Sequence, residues 1–503
     1  MSRASGSRTI IQWPPQGYTN GGGWVAVNWN QSAPYNNFCP IKISTSERSV
    51  AGCPAIAMGQ ILVFHQTINQ SRFNASDRYY HQYTQSFWID DAWETYQFLS
   101  FDSLNTYLDI IDQKFASNQA FDNNDKAALS LAAGYACKSV YDPAGSGTYA
   151  VSQAYDAYQR FGFTESILMD TTFSNDEIVE KIIDNIKKAR PVHLATVDVN
   201  WASGHNVVCD GYRDNGFFRL NMGWGGTYNN WYRLPDEFPY GLTVFEGIVA
   251  DIKAVPNQVE YTLNLLADPD NIGVVLVGDG SYVDGYPVPF SAPEIAGVTF
   301  IGWEGTEEDL ALIDNPSLYT SFITMPQRNV TLTAKYAPSY QVNFTVRNAD
   351  QTPINGASIS VSGQSGSFVT NADGYASIQL VNGSYNFSVT ANDYLDFNSS
   401  FDVNNENADV EVTLISNGLA ADKASNLRVG PVPFNEFLLV ESGNAKRISN
   451  VSLLTLIGNQ LMEFDAAGKN NVRINTSGLN PGIYFLILIM EDDQRIVKKV
   501  IKN

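Results

Sequence analysis

The pattern of apolar and polar positions changes near residue 254, from mixed helical and strand periods to strand alternation alone. Before that point, residues 53–64 are apolar on nearly every side and carry Pro54 at the first helical position, which predicts a buried helix. Alanine and leucine content predicts a second helix over 125–140, and a capping box at Ser174 predicts the start of a third. Helices first and strands later predict an α+β fold.

Strand signals dominate the rest of the chain. Residues 192–199 predict a strand, and the runs on both sides of Asp214-Asn215-Gly216 predict a β-hairpin. Residues 66–122 show no clear period and predict only short helices. Alternating runs then predict strands at 261–266, 273–277, 298–303 and 330–336, and the polar segment 417–425 predicts a linker. Four domains are expected, with bounds 1–253, 254–338, 339–416 and 425–503.

A thiol opens the predicted buried helix at Gly52-Cys53-Pro54. Unpaired backbone N–H groups and the positive end of the helix dipole favour thiolate over thiol at this position, which suits a nucleophile. Most free cysteines are small buried hydrophobic residues, and Cys53 taken alone would be assigned to that class. A base elsewhere in the chain is needed to favour catalysis.

The predicted hairpin supplies such a base. His205 begins its first strand and Asn221 ends its second. Antiparallel pairing is expected to bring the two ends together, so that the Asn221 amide could orient the imidazole.

The other three histidines are less suited to activate Cys53. His65 ends the predicted helix, about 18 Å from the thiol at the usual helical rise. His81 lies in polar sequence and is expected to be solvated, and His193 is expected to be packed or exposed within its strand. Elimination therefore favours His205 as the base.

These blocks together resemble the streptopain family of papain-like cysteine peptidases. The resemblance rests on the order and spacing of Asn30-Gln31-Ser32-Ala33-Pro34-Tyr35-Asn36, Gly52-Cys53, Gly204-His205 and Asn221-Met222-Gly223-Trp224-Gly225-Gly226. It implies a papain-like two-lobed catalytic domain over residues 1–253, followed by three small all-β domains.

The resemblance also implies roles for individual residues. Cys53 is the nucleophile, His205 the general base and acid, and Gln31 the oxyanion-hole donor that acts with the Cys53 backbone N–H. Trp224 covers the histidine from solvent. The substrate-binding residues are Ser146 and Gly147, in a loop beside the cleft, and Gly204.

Two positions depart from the family pattern. Pro54 stands where the family usually has valine, and Met222 stands where it often has a second tryptophan. The third catalytic member is therefore either Asn221 or absent, with a Cys–His pair that Trp224 shields.

The segments after residue 254 resemble other modules. Residues 254–338 are similar to small β-grasp-like repeats of bacterial surface proteins, and residues 339–416 resemble carboxypeptidase-regulatory or transthyretin-like sandwiches. The last segment, 425–503, resembles the C-terminal sorting domain of type IX secretion. This resemblance implies a secreted or cell-surface location and a partner in the type IX secretion machinery.

Composition narrows the possible partners. The chain has 31 Lys and Arg against 52 Asp and Glu, a formal net charge of -21, which argues against nucleic acid or anionic lipid. No apolar run is long enough for a membrane span. No CxxC motif or His/Cys cluster suggests a metal, and no cofactor is expected. Cys53 is expected to be a reactive thiol, and Cys137 and Cys209 are expected to be reduced and packed, whereas the sequence assigns no state to Cys39.

The N-terminal segment is interpreted from the same family. Residues 1–8 lack the apolar core of a signal peptide. Streptopain-like enzymes are made as zymogens with an inhibitory pro-segment, so the chain is interpreted as a mature form.

The expected function is that of a secreted cysteine endopeptidase, which cleaves proteins or peptides through a thiolate–imidazolium pair and a thioester acyl-enzyme. The family resemblance implies acceptance of an apolar residue just before the residue at the cleaved bond. A catalytically weakened surface adhesin is the alternative, favoured by Pro54 and Met222. Acyl transfer to an amine is a third possibility.

Overall fold

The computed structural model describes residues 10–415, 427–442 and 447–503. The N-terminal segment 1–8 and the predicted linker 417–425 lie outside the described residues. The chain divides into two compact units. One comprises the described residues through 295 together with 300–336, and the other comprises 296–299 and the described residues from 337 onward.

The first unit begins with mixed helices and strands. Its helices are α1 (Cys53–His65), α2 (Trp93–Tyr96), α3 (Phe101–Ala116), α4 (Asn123–Ala136), α5 (Val151–Arg160) and α6 (Asn175–Lys187). Its strands to residue 250 are β1 (Gln12–Trp13), β2 (Ile41–Lys42), β3 (Glu47–Arg48), β4 (Tyr80–Gln82), β5 (Ser86–Trp88), β6 (Ile167–Asp170), β7 (Val192–Val197), β8 (Gly204–Arg213), β9 (Phe217–Asn221), β10 (Asn230–Tyr232) and β11 (Val244–Ala250). The expected α+β organisation is confirmed.

An antiparallel sheet with the strand order β10-β9-β8-β7-β11-β6 separates two apolar cores. Because successive side chains on a strand point to opposite faces, Val208 packs with α1, α3, α4 and α5, whereas Val207 packs with α6. Strands β7, β8 and β11 are therefore buried on both faces over most of their length. The sheet gives the candidate site a rigid base.

The predicted helices are found, and one prediction was wrong. α1 begins at Cys53, and Ser174 caps α6 by accepting a hydrogen bond from the Glu177 N–H at 3.3 Å. Residues 66–122 were expected to hold only short helices, yet α3 spans 16 residues. Its buried positions, Leu104, Leu108, Ile111 and Phe115, do follow a helical period, which the many polar residues between them obscured.

The first unit continues with β12 (Glu260–Asp268), β13 (Gly280–Val283), β14 (Pro287–Ser291), β15 (Val298–Glu304), the short helix α7 (Glu307–Leu310), β16 (Thr320–Thr324) and the first part of β17 (Val330–Asn348). The predicted strand at 273–277 was wrong. A 3-10 turn at Asp270–Ile272 precedes it, and Val277 forms only an isolated bridge with Ser291.

The second unit is all-β in its described residues. After β17 its strands are β18 (Ser358–Val361), β19 (Phe368–Val369), β20 (Tyr375–Val381), β21 (Gly383–Thr390), β22 (Phe397–Val403), β23 (Ala408–Leu414), β24 (Leu427–Gly430), β25 (Phe437–Ser442), β26 (Ile448–Thr455), β27 (Gln460–Lys469), β28 (Asn471–Asn475), β29 (Gly482–Met490) and β30 (Arg495–Lys502). In neither unit does a described helix have the length and apolarity needed to cross a membrane.

Candidate active site

Cys53 is the first residue of α1 and lies at the edge of a cleft. Gly52 precedes it with φ 90° and ψ 141°, a backbone conformation that glycine adopts most easily. A Cβ on Gly52 would lie 3.1 Å from the Ser146 carbonyl, so the chain enters the helix against the loop that contains Ser146. Pro54 follows in the first turn, where a backbone N–H would have no intrahelical partner, so its missing N–H costs no hydrogen bond. The thiol is partly accessible, unlike the thiols of the three other cysteines, which are buried.

The loop beside Cys53 is fixed by Asp142. Its carboxylate accepts hydrogen bonds from Lys42 Nζ at 2.7 Å, from the Thr84 hydroxyl and from the Ala144 N–H at 3.0 Å. These partners outweigh burial and lower the pKa of Asp142 to about 2, so it is ionised at neutral pH. The backbone groups of Val140 and Gly147 bond to each other and close the loop.

The cleft has a volume of about 440 Å³. Cys53 lines it together with the three predicted substrate-binding residues, Ser146, Gly147 and Gly204. The remaining lining residues are Tyr83, Val140, Gly145, Thr148, Tyr149, Val197, Trp201, Ala202, Ser203, Asn206 and Glu246. The structure therefore brings the nucleophile candidate and the predicted substrate-binding residues to one cavity.

The side chain of Asn206 contacts the thiol. Its Nδ2 lies 4.0 Å from Cys53 Sγ and donates a hydrogen bond to the sulfur. Asn206 is the residue after His205 on β8, and it faces the α1 side of the sheet. The sequence interpretation did not consider this residue.

Asn206 is itself the end of a buried hydrogen-bonded chain. The Tyr158 hydroxyl is 3.2 Å from His193 Nδ1, and His193 Nε2 is 2.8 Å from Asn206 Oδ1. The Asn206 amide oxygen can only accept, so His193 carries its proton on Nε2. Its Nδ1 therefore accepts the hydrogen bond that the Tyr158 hydroxyl donates. Every donor in the chain therefore points toward the sulfur, an arrangement in which each bond polarises the next.

The pKa of the Cys53 thiol reflects opposing effects. Burial raises it, hydrogen bonds from the backbone and side chain of Asn206 lower it, and the Glu246 carboxylate raises it. Burial prevails, so the resting group is a thiol rather than the thiolate that its helix position predicted. A nearby base is consequently needed for the proton.

His205 has the tautomer of such a base. Its Nε2 lies 2.9 Å from the Met222 carbonyl oxygen, which can only accept, so the proton is on Nε2 and the lone pair is on Nδ1. The Trp224 ring stacks on the imidazole with centroids 4.4 Å apart and planes at 21°. The imidazole is 5% exposed, and burial lowers the pKa of His205 to about 4, which keeps it neutral at physiological pH. Proton exchange between this imidazole and the thiol stays a prediction.

The Asn221 amide bonds groups other than the imidazole, and its expected orienting role stays a prediction. Asn221 pairs with Val208 instead of His205, because β8 extends beyond the point where β9 ends. The Asn221 amide donates to the Val27 carbonyl at 2.8 Å and accepts from the Gly223 N–H at 3.3 Å. The imidazole is held by the backbone carbonyl of Met222, an atom that every residue type supplies. Replacement of a family tryptophan by Met222 therefore preserves this contact.

Gln31 is tied to the segment before the nucleophile. Its carbonyl accepts a hydrogen bond from the Ala51 N–H at 2.9 Å, two residues before Cys53. Its role as oxyanion donor remains a prediction.

Two histidines differ from their expected surroundings or contacts. His81, expected to be solvated, is buried in β4, stacks on Phe87 at 4.5 Å and accepts the Tyr141 N–H at 2.7 Å. His193 is packed, as one expectation held, but its contact with Asn206 was missed. A polar residue at a strand position that faces a core needs a buried partner, and this signal could have paired His193 with Asn206.

Comparisons with known proteins assign the segments of the chain. Residues 29–232 match the Peptidase C10 family. Residues 263–340 match the divergent InlB B-repeat domain, 341–415 the carboxypeptidase regulatory-like domain and 428–503 the secretion system C-terminal sorting domain. The resemblance to the streptopain family and the expected fold class, a papain-like domain followed by all-β domains, are confirmed.

Individual proteins and structures are also similar to part of this chain. The thiol protease/hemagglutinin PrtT of Porphyromonas gingivalis is 25% identical over 211 residues, 41% of this chain and 23% of that protein. Streptopain of Streptococcus pyogenes is 26% identical over 235 residues, 43% of this chain and 55% of that protein. The chain thus spans between about a quarter and about half the length of these curated relatives. The structure of interpain A, a cysteine protease of Prevotella intermedia, aligns with 48% of this chain and 95% of its own at 20% identity and a TM-score of 0.35.

The C-terminal match bears on location. A sorting domain of type IX secretion marks the chain as secreted or held at the cell surface. Residues 29–232 of this chain are therefore similar to the peptidase C10 family, and the segments that follow match β modules and, over residues 428–503, a secretion sorting domain.

Proposed function

We propose that this protein is a secreted cysteine endopeptidase with Cys53 as nucleophile and His205 as general base. The observation that carries the proposal is the position of a partly accessible thiol, at the start of a buried helix and on a cleft. The neutral imidazole with its lone pair on Nδ1, on the adjoining end of β8, supports it.

The reaction begins with transfer of the thiol proton to His205 Nδ1. Burial favours the neutral forms of both groups before substrate binds, so the thiolate–imidazolium pair is proposed to form as attack begins. The Asn206 amide stabilises the negative sulfur in this step. The Met222 carbonyl keeps the imidazole oriented as its charge changes.

Attack of the sulfur on the peptide carbonyl carbon forms a C–S bond and a negatively charged oxygen. The Gln31 amide and the Cys53 backbone N–H are proposed to donate to this oxygen, a contribution of about 3 to 4 kcal/mol in other hydrolases. His205 then protonates the leaving nitrogen as the C–N bond breaks. Water, deprotonated by the same imidazole, attacks the thioester and releases the carboxylic acid and the thiol.

The test compares the full chain with Cys53→Ala on a fluorescently labelled casein. Loss of cleavage is expected in this variant, and unchanged cleavage would refute the proposal. Cys209→Ala, which removes a buried thiol from the sheet, is the matched control and should retain activity. Mass spectrometry after reaction with a peptidyl acyloxymethyl ketone should locate one adduct, on Cys53.

The same experiment addresses the adhesin alternative, which the comparisons do not favour. An inactive scaffold would give neither cleavage nor an adduct on Cys53. Addition of a free primary amine tests acyl transfer, because an amide product with that amine in place of the carboxylic acid would identify a transferase.

A further inference from the structure

One side chain carries a carboxylate into the substrate cleft. Glu246 lies on β11 and lines the cavity that contains Cys53. The other described lining residues have uncharged side chains. Glu246 is close enough to Cys53 to raise the pKa of the thiol. It therefore sets the sign of the charge that a bound side chain meets near the reacting bond.

The carboxylate is half-buried and lacks a cationic partner. Its Oε1 accepts a hydrogen bond from the Val151 N–H, the first residue of α5, at 2.6 Å. No lysine or arginine among the described residues forms an ion pair with it. Burial raises the pKa of Glu246 by disfavouring its charged form, and the hydrogen bond from the Val151 N–H offsets part of that effect. A cation placed beside it would relieve part of that cost.

The rest of the cleft suits a long side chain with a charged end. Tyr83, Tyr149 and Trp201 are 55%, 72% and 56% exposed and provide aromatic surface at the cavity. Such surface packs against alkyl stems and attracts cations. Space is open beside Gly145 and Gly147, where an added Cβ would meet no atom within 4 Å. The volume of about 440 Å³ falls within the usual range of ligand cavities, about 300–1,000 Å³.

We propose that Glu246 is a specificity-determining residue that makes this peptidase prefer a lysine or arginine side chain close to the cleaved bond. The inference rests on the proposed function and departs from the apolar preference that the family resemblance implies. The Val151 N–H keeps one carboxylate oxygen in place, and the other is left for the substrate cation. The Cys53 thiol and the Glu246 carboxylate then engage the same substrate segment.

The experiment uses fluorogenic peptides that are identical except for arginine or citrulline at one position. Citrulline has nearly the same shape as arginine but no charge, so their ratio isolates recognition of the cation. Placing the pair successively at the three positions on each side of the cleaved bond locates the subsite. For the full chain we expect kcat/KM to favour arginine over citrulline about tenfold at one position.

Variants assign this preference to Glu246. Glu246→Gln keeps the shape and is expected to reduce the arginine-to-citrulline ratio to about twofold or less. Glu246→Lys should invert the preference toward a glutamate-containing peptide. Glu180→Gln removes an exposed carboxylate from α6, outside the cleft, and should leave the ratio unchanged.

A second readout does not require turnover. Arginine and citrulline forms of a peptidyl acyloxymethyl ketone are compared by their rates of Cys53 labelling. The inference would be overturned by equal labelling rates and equal kcat/KM values for the arginine and citrulline forms. It would also be overturned if Glu246→Gln left the arginine-to-citrulline ratio unchanged. Absence of both cleavage and labelling would instead refute the proposed function, and selective labelling without cleavage would support the specificity alone.

Discussion

Replacement of Asn206 by alanine should weaken the thiolate without removing the nucleophile. The amide donates one hydrogen bond to Cys53 Sγ at 4.0 Å. Hydrogen bonds to charged groups contribute about 1.5–3 kcal/mol, and this distance is long, so a loss of about 1 kcal/mol is expected. Since one pKa unit corresponds to about 1.4 kcal/mol, the pKa of Cys53 should rise by roughly 0.7.

The assay is the rate of Cys53 alkylation by iodoacetamide as a function of pH. Only the thiolate reacts, so at a pH below the midpoint the rate should fall about fivefold in Asn206→Ala. Glu246 affects the pKa of the thiol and His193 bonds Asn206, and both titratable groups are retained in the variant. Asn206→Asp should move the midpoint further upward, because it places a negative charge beside the sulfur while keeping an acceptor for His193.

Loss of stability must be separated from this effect. Asn206→Ala leaves His193 Nε2 without its buried acceptor, which should lower the free energy of unfolding by about 1–3 kcal/mol. Asn185→Ala is the control, since it removes a buried amide that bonds Lys181 and Asp251 far from the thiol. It should cost stability and leave the alkylation midpoint unchanged. An unchanged midpoint in Asn206→Ala would refute the reasoning.

Two further predictions concern Trp224 and Gly52. Trp224→Ala uncovers the imidazole, so the pKa of His205 should rise from about 4 toward its ordinary value. The acid limb of the kcat/KM profile, where the base becomes protonated, should then shift to higher pH. An unmoved acid limb would contradict the shielding role. Gly52→Ala forces a side chain into a left-handed conformation against Ser146, which should lower the free energy of unfolding in urea by about 1–3 kcal/mol and also reduce kcat/KM. Gly17→Ala has a similar φ of 87° but open space around it, and should lose stability without losing activity.

Predictions from the sequence were correct where the deciding contacts lie within a few residues along the chain. The helix start at Cys53 and the cap at Ser174 depend on contacts within four residues, and both were predicted. His81 was misjudged because its burial depends on Phe87 and on Tyr141, a residue 60 positions away that polar flanking sequence does not indicate.

The sequence alone determined that a thiol begins a buried helix, that a histidine begins a strand, and that β modules follow. The tertiary structure decided which groups meet them. Asn206 reaches Cys53 across 153 residues, and the hairpin register places Asn221 opposite Val208, while a backbone carbonyl contacts the imidazole. Periodicity reports on neighbours along one element, whereas strand register and the packing of α1 on the sheet depend on the whole fold, so neither contact could be read from the pattern.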